Sequence, residues 1–339
     1  MERFDPTALK AARAAAGDRS MPRAFLFGPL PDPPLADVSL DDLLAFFKDP
    51  VKGFFRELDY TLPWEVEAID DAMPVEIDAL QEWAVGDRLL NDLMRGVDLG
   101  VATGAEWRRG FLPPGRLGWR KAKAISDCSV DLARAALGPR GTHPATGHDI
   151  DVDLGGRRVT GTVAPVYGDR TVSVTYSRLA AKHLLQAWIS LVALGAQGPE
   201  REWEAYCIGR GGKDDIKVRM FRPPEDATAV LRDIVAIFDA GRREPFPLPL
   251  KTSCAWAQKR HEGRDPNWYA KSKWESPRDT TIGEDAAPAH VEVWGRNAPL
   301  SRLLADRPRP GEEVDGEDSR FGALAARLWL PMFKAEGRP

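Results

Sequence analysis

Apolar residues recur at helical spacing through the first part of the chain, beginning at Leu40. Ser39 is a good N-cap for the segment LDDLLAFFKD, in which an apolar side chain falls every three or four residues. Pro50 is expected to end this helix, and further helices are predicted at 77–93 and 117–136. Glycine- and proline-rich joints are expected between Gly96 and Gly118. We therefore predict a mostly helical part over residues 37–146.

The pattern changes to alternation after Gly147. HDIDVDL, RRVTGTVAPVY and RTVSVTYS predict three successive strands, and LAAKHLLQAWISLVALGAQ predicts an amphipathic helix. EWEAYCIG and IKVRMFRP flank GRGGKDD as a β-hairpin, helices follow at 226–240 and near 321–329, and REPFPLPLKTS is expected to be a connection. This order predicts an α/β fold, with a mixed sheet flanked by helices over residues 147–335.

The chain before residue 37 is predicted to be a tether. After a short alanine-rich segment it is too rich in proline for regular structure, and a linker at this position indicates that something normally precedes it. No apolar run in the 339 residues is long enough to span a bilayer, and the N-terminus has no secretory pattern. Three widely spaced cysteines, Cys128, Cys207 and Cys254, fit reduced core thiols. We therefore expect a cytoplasmic protein without a membrane partner.

Charge is segregated along the chain. Acids dominate residues 59–98, and bases dominate residues 106–124 and a tryptophan-rich region over 251–278. Such segregation suits a protein that meets an acidic partner on one face, although solvated helix faces give the same pattern.

Motifs for nucleotides and metals are weak. GRGGKDD lacks the spacing of a phosphate loop and precedes a strand, so a hairpin turn is the better interpretation. The chain has no CxxC or HExxH pattern, and no bound metal is expected. Asp149, Asp151 and Asp153 would share one face of a strand, opposite Ile150 and Val152. Such a face is more often solvated than a cation site.

Two strands and the following helix match the framework of metal-dependent nucleases of the PD-(D/E)xK type. In that framework the first strand supplies an aspartate for Mg²⁺, and the second supplies a carboxylate and then a lysine two residues on. Here Ala164 stands in the first position, and Thr175 and Ser177 stand in the other two, with Gln186 on the next helix. None of the three brings the charge that the chemistry needs. We predict a degenerate nuclease site.

These segments together resemble the C-terminal domain of the exodeoxyribonuclease V gamma subunit, RecC of the RecBCD helicase–nuclease. The resemblance covers nearly all of residues 30–333 through several motifs in order, among them LPDPPLADVSLDDLLAFFKDPVKGFF, RRGFLPPGRLGW, VSVTYSRLAAKHLLQAWISLVA and LWLPMF. It implies a non-catalytic domain that contacts RecB-like and RecD-like subunits and guides single-stranded DNA at a fork. ATP and Mg²⁺ would be used by the partner subunits, with no cofactor in this domain.

Two aromatic and basic stretches are candidate DNA contacts, because cations neutralise phosphates and aromatic faces stack on unpaired bases. The candidates are Arg108, Arg109, Arg116, Trp119 and Arg120 in the first stretch, and Lys259, Arg260, Arg264, Trp268, Tyr269, Lys271 and Lys273 in the second. Subunit contact is the competing interpretation for much of this surface. A different function also stays open: an active Mg²⁺-dependent nuclease with relocated catalytic residues, namely Asp149, Asp151, Asp153 and Lys182.

Overall fold

The computed structural model describes residues 25–26, 28–60, 78–113, 115–212, 215–276 and 282–338. Most of the tether predicted before residue 37 lies outside these ranges. The strands in the described part are β1 (Val38–Ser39), β2 (Thr146–Asp153), β3 (Arg158–Tyr167), β4 (Arg170–Arg178), β5 (Glu204–Arg210), β6 (Ile216–Phe221) and β7 (Glu336–Gly337). The helices are α1 (Leu40–Phe47), α2 (Pro50–Glu57), α3 (Ala79–Met94), α4 (Leu99–Arg109), α5 (Gly115–Ala135), α6 (Leu137–Arg140), α7 (Ala181–Gln197), α8 (Ala227–Arg243), α9 (Leu250–His261), α10 (Asn267–Trp274), α11 (Pro288–Trp294), α12 (Leu300–Leu303) and α13 (Arg320–Lys334).

The described strands form one mixed sheet of seven, which confirms the predicted α/β class. Its order is β1-β3-β4-β5-β6-β7, and β2 pairs with β3 outside this path. The pairs β1–β3 and β4–β5 are parallel and the others are antiparallel. The predicted meander of three strands and the hairpin at 204–221 are both confirmed.

Alternation along β5 shows why helices cover both faces of the sheet. Ala205 and Cys207 are buried in a core with α1, α7, α8, α9 and α13, whereas Ile208 is buried in a second core with α3 and α5. Successive side chains of a strand point to opposite faces, so a strand that buries apolar residues on both faces needs a layer on each side. The helices of the N-terminal part supply the second layer.

Side-chain caps mark the start of several helices, α1 and α2 among them. The Ser39 hydroxyl accepts a hydrogen bond of 3.0 Å from the amide of Asp42, as the predicted N-cap requires. The side chain of Asp49 caps the next helix in the same way, so Pro50 opens α2 rather than merely ending α1. Pro50 suits this place because the first turn of a helix needs no amide donor from it.

Two sequence interpretations were wrong. The predicted joint between Gly96 and Gly118 contains the helix α4, which Asp98 caps, and which ends at Gly110 in the left-handed region with φ of 74°. The predicted connection 243–253 extends only to Pro249, where α9 begins. Glycine and proline mark the ends of these helices, and their density led us to expect loops between them.

The cysteines match the expectation of reduced core thiols. No disulfide joins them in the described part of the chain; Cys207 and Cys254 are buried, and burial raises the pKa of the Cys207 thiol to about 11. No helix in the described part of the chain is both long and apolar enough to cross a membrane.

Candidate functional site

A cleft opens in the sheet where β3 and β4 separate. In the described structure these strands pair only beside their turn, at Val166 with Thr171 and at Tyr167 with Arg170. Beyond that point β3 continues along β2, and β4 turns to pair with β5. A cavity of about 220 Å³ lies between the separated strands and the first turns of α7.

An irregularity in β4 shapes one wall of this cleft. Val174 pairs with Ile208 and Arg178 pairs with Arg210, so β4 carries extra residues at 175–177 relative to β5. Bulges of this kind change the direction of side chains and are common beside active sites. Here the amide of Ser177 donates to the hydroxyl of Thr175 at 3.1 Å, which holds the bulged segment in a tight bend.

The three predicted nuclease positions are only partly brought together. Ala164 and Thr175 line the cleft from opposite strands, and Gln186 lines it from α7. Ser177 is not part of the lining. Its hydroxyl instead accepts a hydrogen bond of 2.8 Å from the indole nitrogen of Trp83 on α3. The bulge therefore separates Ser177 from Thr175, although regular alternation would place both on one face.

The lining of the cleft is neutral. His183, Gln186 and Ser190 on α7 face Ala164 and Thr175, and none of the described lining residues is an acid, a lysine or an arginine. The Nδ1 atom of His183 accepts a hydrogen bond of 3.1 Å from the amide of Ala180, which leaves the proton of the neutral ring on Nε2. Burial, and secondarily the charge of Lys182, lower the pKa of His183 to about 4. The imidazole is therefore uncharged at neutral pH.

The three aspartates of β2 share one exposed face, with Ile150 and Val152 buried on the other, as the alternation predicts. Each acid already has a neighbour. Asp149 accepts from the hydroxyl of Thr162 at 2.9 Å, Asp151 forms an ion pair with Arg158 at 2.5 Å, and Asp153 accepts from the amide of Gly155 at 2.8 Å. Within the ranges that the structure describes, no group of three or more His, Cys, Asp or Glu side chains forms a potential metal site. Lys182 is exposed at the start of α7, outside the cleft lining.

The first aromatic and basic stretch lies on the ends of α4 and α5, and we call it the α4–α5 surface. Trp119 is 60% exposed, and Arg108, Arg116 and Arg120 are exposed. Arg109 differs because it forms an ion pair with the buried Glu106. Four of the five candidates are thus accessible without breaking a described ion pair.

The second stretch lies on α9, α10 and the turn between them, and we call it the α9–α10 surface. Trp268 is 66% exposed and packs edge-on against Tyr269, with ring centroids 4.8 Å apart. The ammonium group of Lys259 lies 4.7 Å from the centre of the Tyr269 ring. Two other tryptophans of this stretch, Trp256 and Trp274, are buried in the core and do not contribute to the surface.

Several cations of the α9–α10 surface already contact acids. Lys259 and Arg264 both approach Glu262, Arg260 pairs with Glu317, and Lys271 lies 3.6 Å from Glu275. Lys273 has no ion pair with the described residues and is exposed. Arg264 and Lys271 have exposed side chains, and exposed pairs are weak, with about 0–1 kcal/mol each, so a phosphate can compete for these two cations.

Trp83, His183 and Ser190 are site residues that sequence reasoning missed. Trp83 lies in a predicted helix but contacts Ser177, which is 94 residues away along the chain. Local sequence patterns do not predict a contact over that distance. Ser190 sits between buried residues on the amphipathic α7, where a lone polar residue on the apolar side is a signal that the sequence does carry.

These features define the chain as a mixed α/β domain with a split sheet and a neutral cleft. The chain belongs to the RecC C-terminal domain family, whose model matches residues 35–261. It is 61% identical over 336 residues to the RecBCD enzyme subunit RecC of Mycobacterium tuberculosis (strain CDC 1551 / Oshkosh), covering 98% of this chain and 30% of the relative. It is 58% identical over 335 residues to the RecBCD enzyme subunit RecC of Mycolicibacterium smegmatis, with the same coverage. The chain thus spans about a third of the length of these relatives, and the resemblance inferred from its motifs is confirmed.

Proposed function

We propose that this chain is a non-catalytic, nuclease-like domain of a RecBCD-type DNA repair complex, with roles in subunit scaffolding, strand separation and the guiding of single-stranded DNA. The strand–strand–helix arrangement of β3, β4 and α7 supports the PD-(D/E)xK framework. The relatives named RecBCD enzyme subunit RecC support the complex to which the domain would belong. RecB-like and RecD-like subunits are then its partners, and ATP and Mg²⁺ act in those subunits.

The neutral cleft is the observation that carries the non-catalytic part. A hard divalent cation needs several oxygen ligands with negative charge, and Mg²⁺ nucleases supply them from two adjacent strands. At the corresponding places Ala164 offers a methyl group and Thr175 a hydroxyl, and Ser177 points to Trp83 rather than into the cleft. The framework therefore holds neither the metal charge nor the lysine that assists the attacking water.

The α9–α10 surface supports the DNA part. Trp268 offers an exposed π-face for an unpaired base, and Lys271 and Lys273 lie on the same short helix. Stacking contributes about 1–3 kcal/mol per base and tolerates any sequence, because every base has a π-face. A domain that passes single strands onward needs contacts of this kind, since they hold every sequence alike.

Salt-dependent binding to a fluorescent oligodeoxythymidine tests this role. The Lys271→Gln/Lys273→Gln variant is expected to bind about tenfold more weakly, and its log–log salt slope is expected to fall by about 1.4, or about 0.7 for each lost phosphate contact. Lys48→Gln/Lys52→Gln removes the same charge from two exposed positions, one directly after α1 and one in α2, and is the matched control. Equal affinity and an equal slope in the two variants would leave the α9–α10 surface without a role in DNA contact.

A further inference from the structure

Three polar side chains in the cleft have unused hydrogen-bonding capacity. Among the described residues, no partner is present for the amide of Gln186, for Nε2 of His183 or for the hydroxyl of Ser190. Together they offer two kinds of donor, from nitrogen and from oxygen, and the amide carbonyl as an acceptor. The rest of the lining is largely apolar, with Val163, Pro165 and other aliphatic residues on the strands. A ligand that fits has apolar faces and a polar edge, and it carries no charge.

No cation belongs to the cleft lining, and two cations directly precede lining residues along the chain. Arg178 precedes the lining residue Leu179, and Lys182 precedes the lining residue His183. Both cations are exposed, and neither forms an ion pair within the described ranges. An anionic group is therefore favoured beside the mouth of the cleft, while its neutral interior favours an uncharged ring.

We propose that the cleft binds one unpaired nucleobase of a single DNA strand, with the flanking phosphates on Lys182 and Arg178. A nucleotide joins a flat, neutral, hydrogen-bonding ring to an anionic backbone. The ring matches the neutral lining of the cleft, and the phosphates match the two cations beside that lining. The cavity, at about 220 Å³, lies below the roughly 300–1,000 Å³ of pockets for larger ligands, so it suits a single ring system. This inference rests on the proposed contact with single-stranded DNA and adds a second binding site to it.

The position of the cleft explains how a nuclease framework acquires this use. Without carboxylates on β3 and β4, the interior no longer repels the electron-rich edge of a base or attracts a cation. Gln186 presents an amide, whose donor and acceptor match the adjacent donor and acceptor on the edge of a base. The strand path would then run past Arg178 and Lys182 with one base turned into the sheet.

Filling the cleft provides the first test. Ala164→Trp places an indole in the cavity, and Ala305→Trp adds the same group at an exposed loop position outside the lining. Binding of the full 339-residue chain to oligodeoxythymidine is expected to weaken roughly tenfold in Ala164→Trp and to stay unchanged in Ala305→Trp. Gln186→Leu alters an exposed helix residue, keeps the fold, and is expected to weaken binding roughly fivefold.

An oligomer made wholly of abasic sugar phosphates separates a base from the backbone. The loss caused by Ala164→Trp is expected to vanish on this oligomer, because no base enters the cleft. A loss of equal size on both oligomers would mean that the cleft holds the sugar–phosphate backbone. No loss on either oligomer would mean that the cleft holds no DNA. Either result would overturn this inference and leave the DNA-guiding proposal standing. Failure of the unaltered chain to bind any single strand would overturn the DNA-guiding proposal as well.

Discussion

The indole nitrogen of Trp83 donates a hydrogen bond of 2.8 Å to the hydroxyl of Ser177. This contact joins α3, on one face of the sheet, to the bulged end of β4. In the nuclease framework that we propose, Ser177 stands at the position of the lysine, and here its hydroxyl contacts the helical layer instead.

The Trp83–Ser177 hydrogen bond is expected to contribute about 1 kcal/mol to the free energy of unfolding, as is usual for a neutral, partly exposed bond. A double-mutant cycle with Trp83→Phe and Ser177→Ala, followed by urea unfolding, isolates this energy. A coupling energy near zero would show that the two groups meet without stabilising the chain.

Close packing of α3 on the sheet leads to a prediction at Gly86. A Cβ atom there would lie 2.3 Å from the ring of Tyr176, so Gly86→Ala is expected to lower stability by about 1–2 kcal/mol despite the better helix propensity of alanine. Gly104→Ala on α4 is the control, because its Cβ meets only the end of Arg108 at 3.5 Å. That change is expected to stabilise by up to about 1 kcal/mol. The same sign in both variants, measured by thermal unfolding, would contradict the packing described.

Arg320 anchors the C-terminal segment through a buried network. Its guanidinium donates to Glu312 at 2.6 Å and to Glu244 at 2.8 Å, and the residue is only 4% exposed. Arg320→Ala would leave Glu312 without its guanidinium partner and Glu244 with Arg309 alone, and it is expected to cost about 3–5 kcal/mol. Arg264→Ala, which loses only an exposed pair, is expected to cost less than about 1 kcal/mol. Similar losses in urea unfolding would refute the importance of the buried network.

His183 gives a prediction for the pH dependence of stability. Its folded pKa of about 4 lies below the pKa of 6.5 that a solvated histidine has, so the unfolded chain takes up the proton first as the pH falls. Its contribution is complete above pH 6.5 and is lost between pH 6.5 and 4. After discounting for partial exposure, we expect a loss of about 2 kcal/mol over this range. His183→Gln should flatten that part of the stability curve, and an unchanged slope would mean that the ring is not held neutral by the fold.

Much of the fold follows from local sequence patterns. Strict alternation predicted β2, β3 and β4, and the apolar stripe of 179–197 predicted α7, because half-buried elements must show the period of their backbone. The helix α4 was missed since its glycines and its polar composition hide the periodicity, and Asp98 is the one strong signal of its start.

The candidate site was predictable only in part. Residue types alone show that Ala164, Thr175 and Ser177 carry no charge, and the structure places Ala164 and Thr175 in one cleft. The bulge at 175–177 depends on pairing with β5, more than 25 residues further along the chain. The alternation of residues within β4 does not predict this bulge. The same holds for Trp256 and Trp274, whose burial is decided by tertiary packing and not by their basic neighbours.

Digestion of end-labelled single-stranded DNA by the purified chain, with Mg²⁺ or Mn²⁺, tests the central claim most directly. The neutral cleft predicts no cleavage above the level without metal, at any protein concentration that saturates the DNA. Asp151→Ala, which removes the middle acid of β2, should then leave the result unchanged. Metal-dependent cleavage that disappears in Asp151→Ala would contradict the account and would assign catalysis to the acidic face of β2.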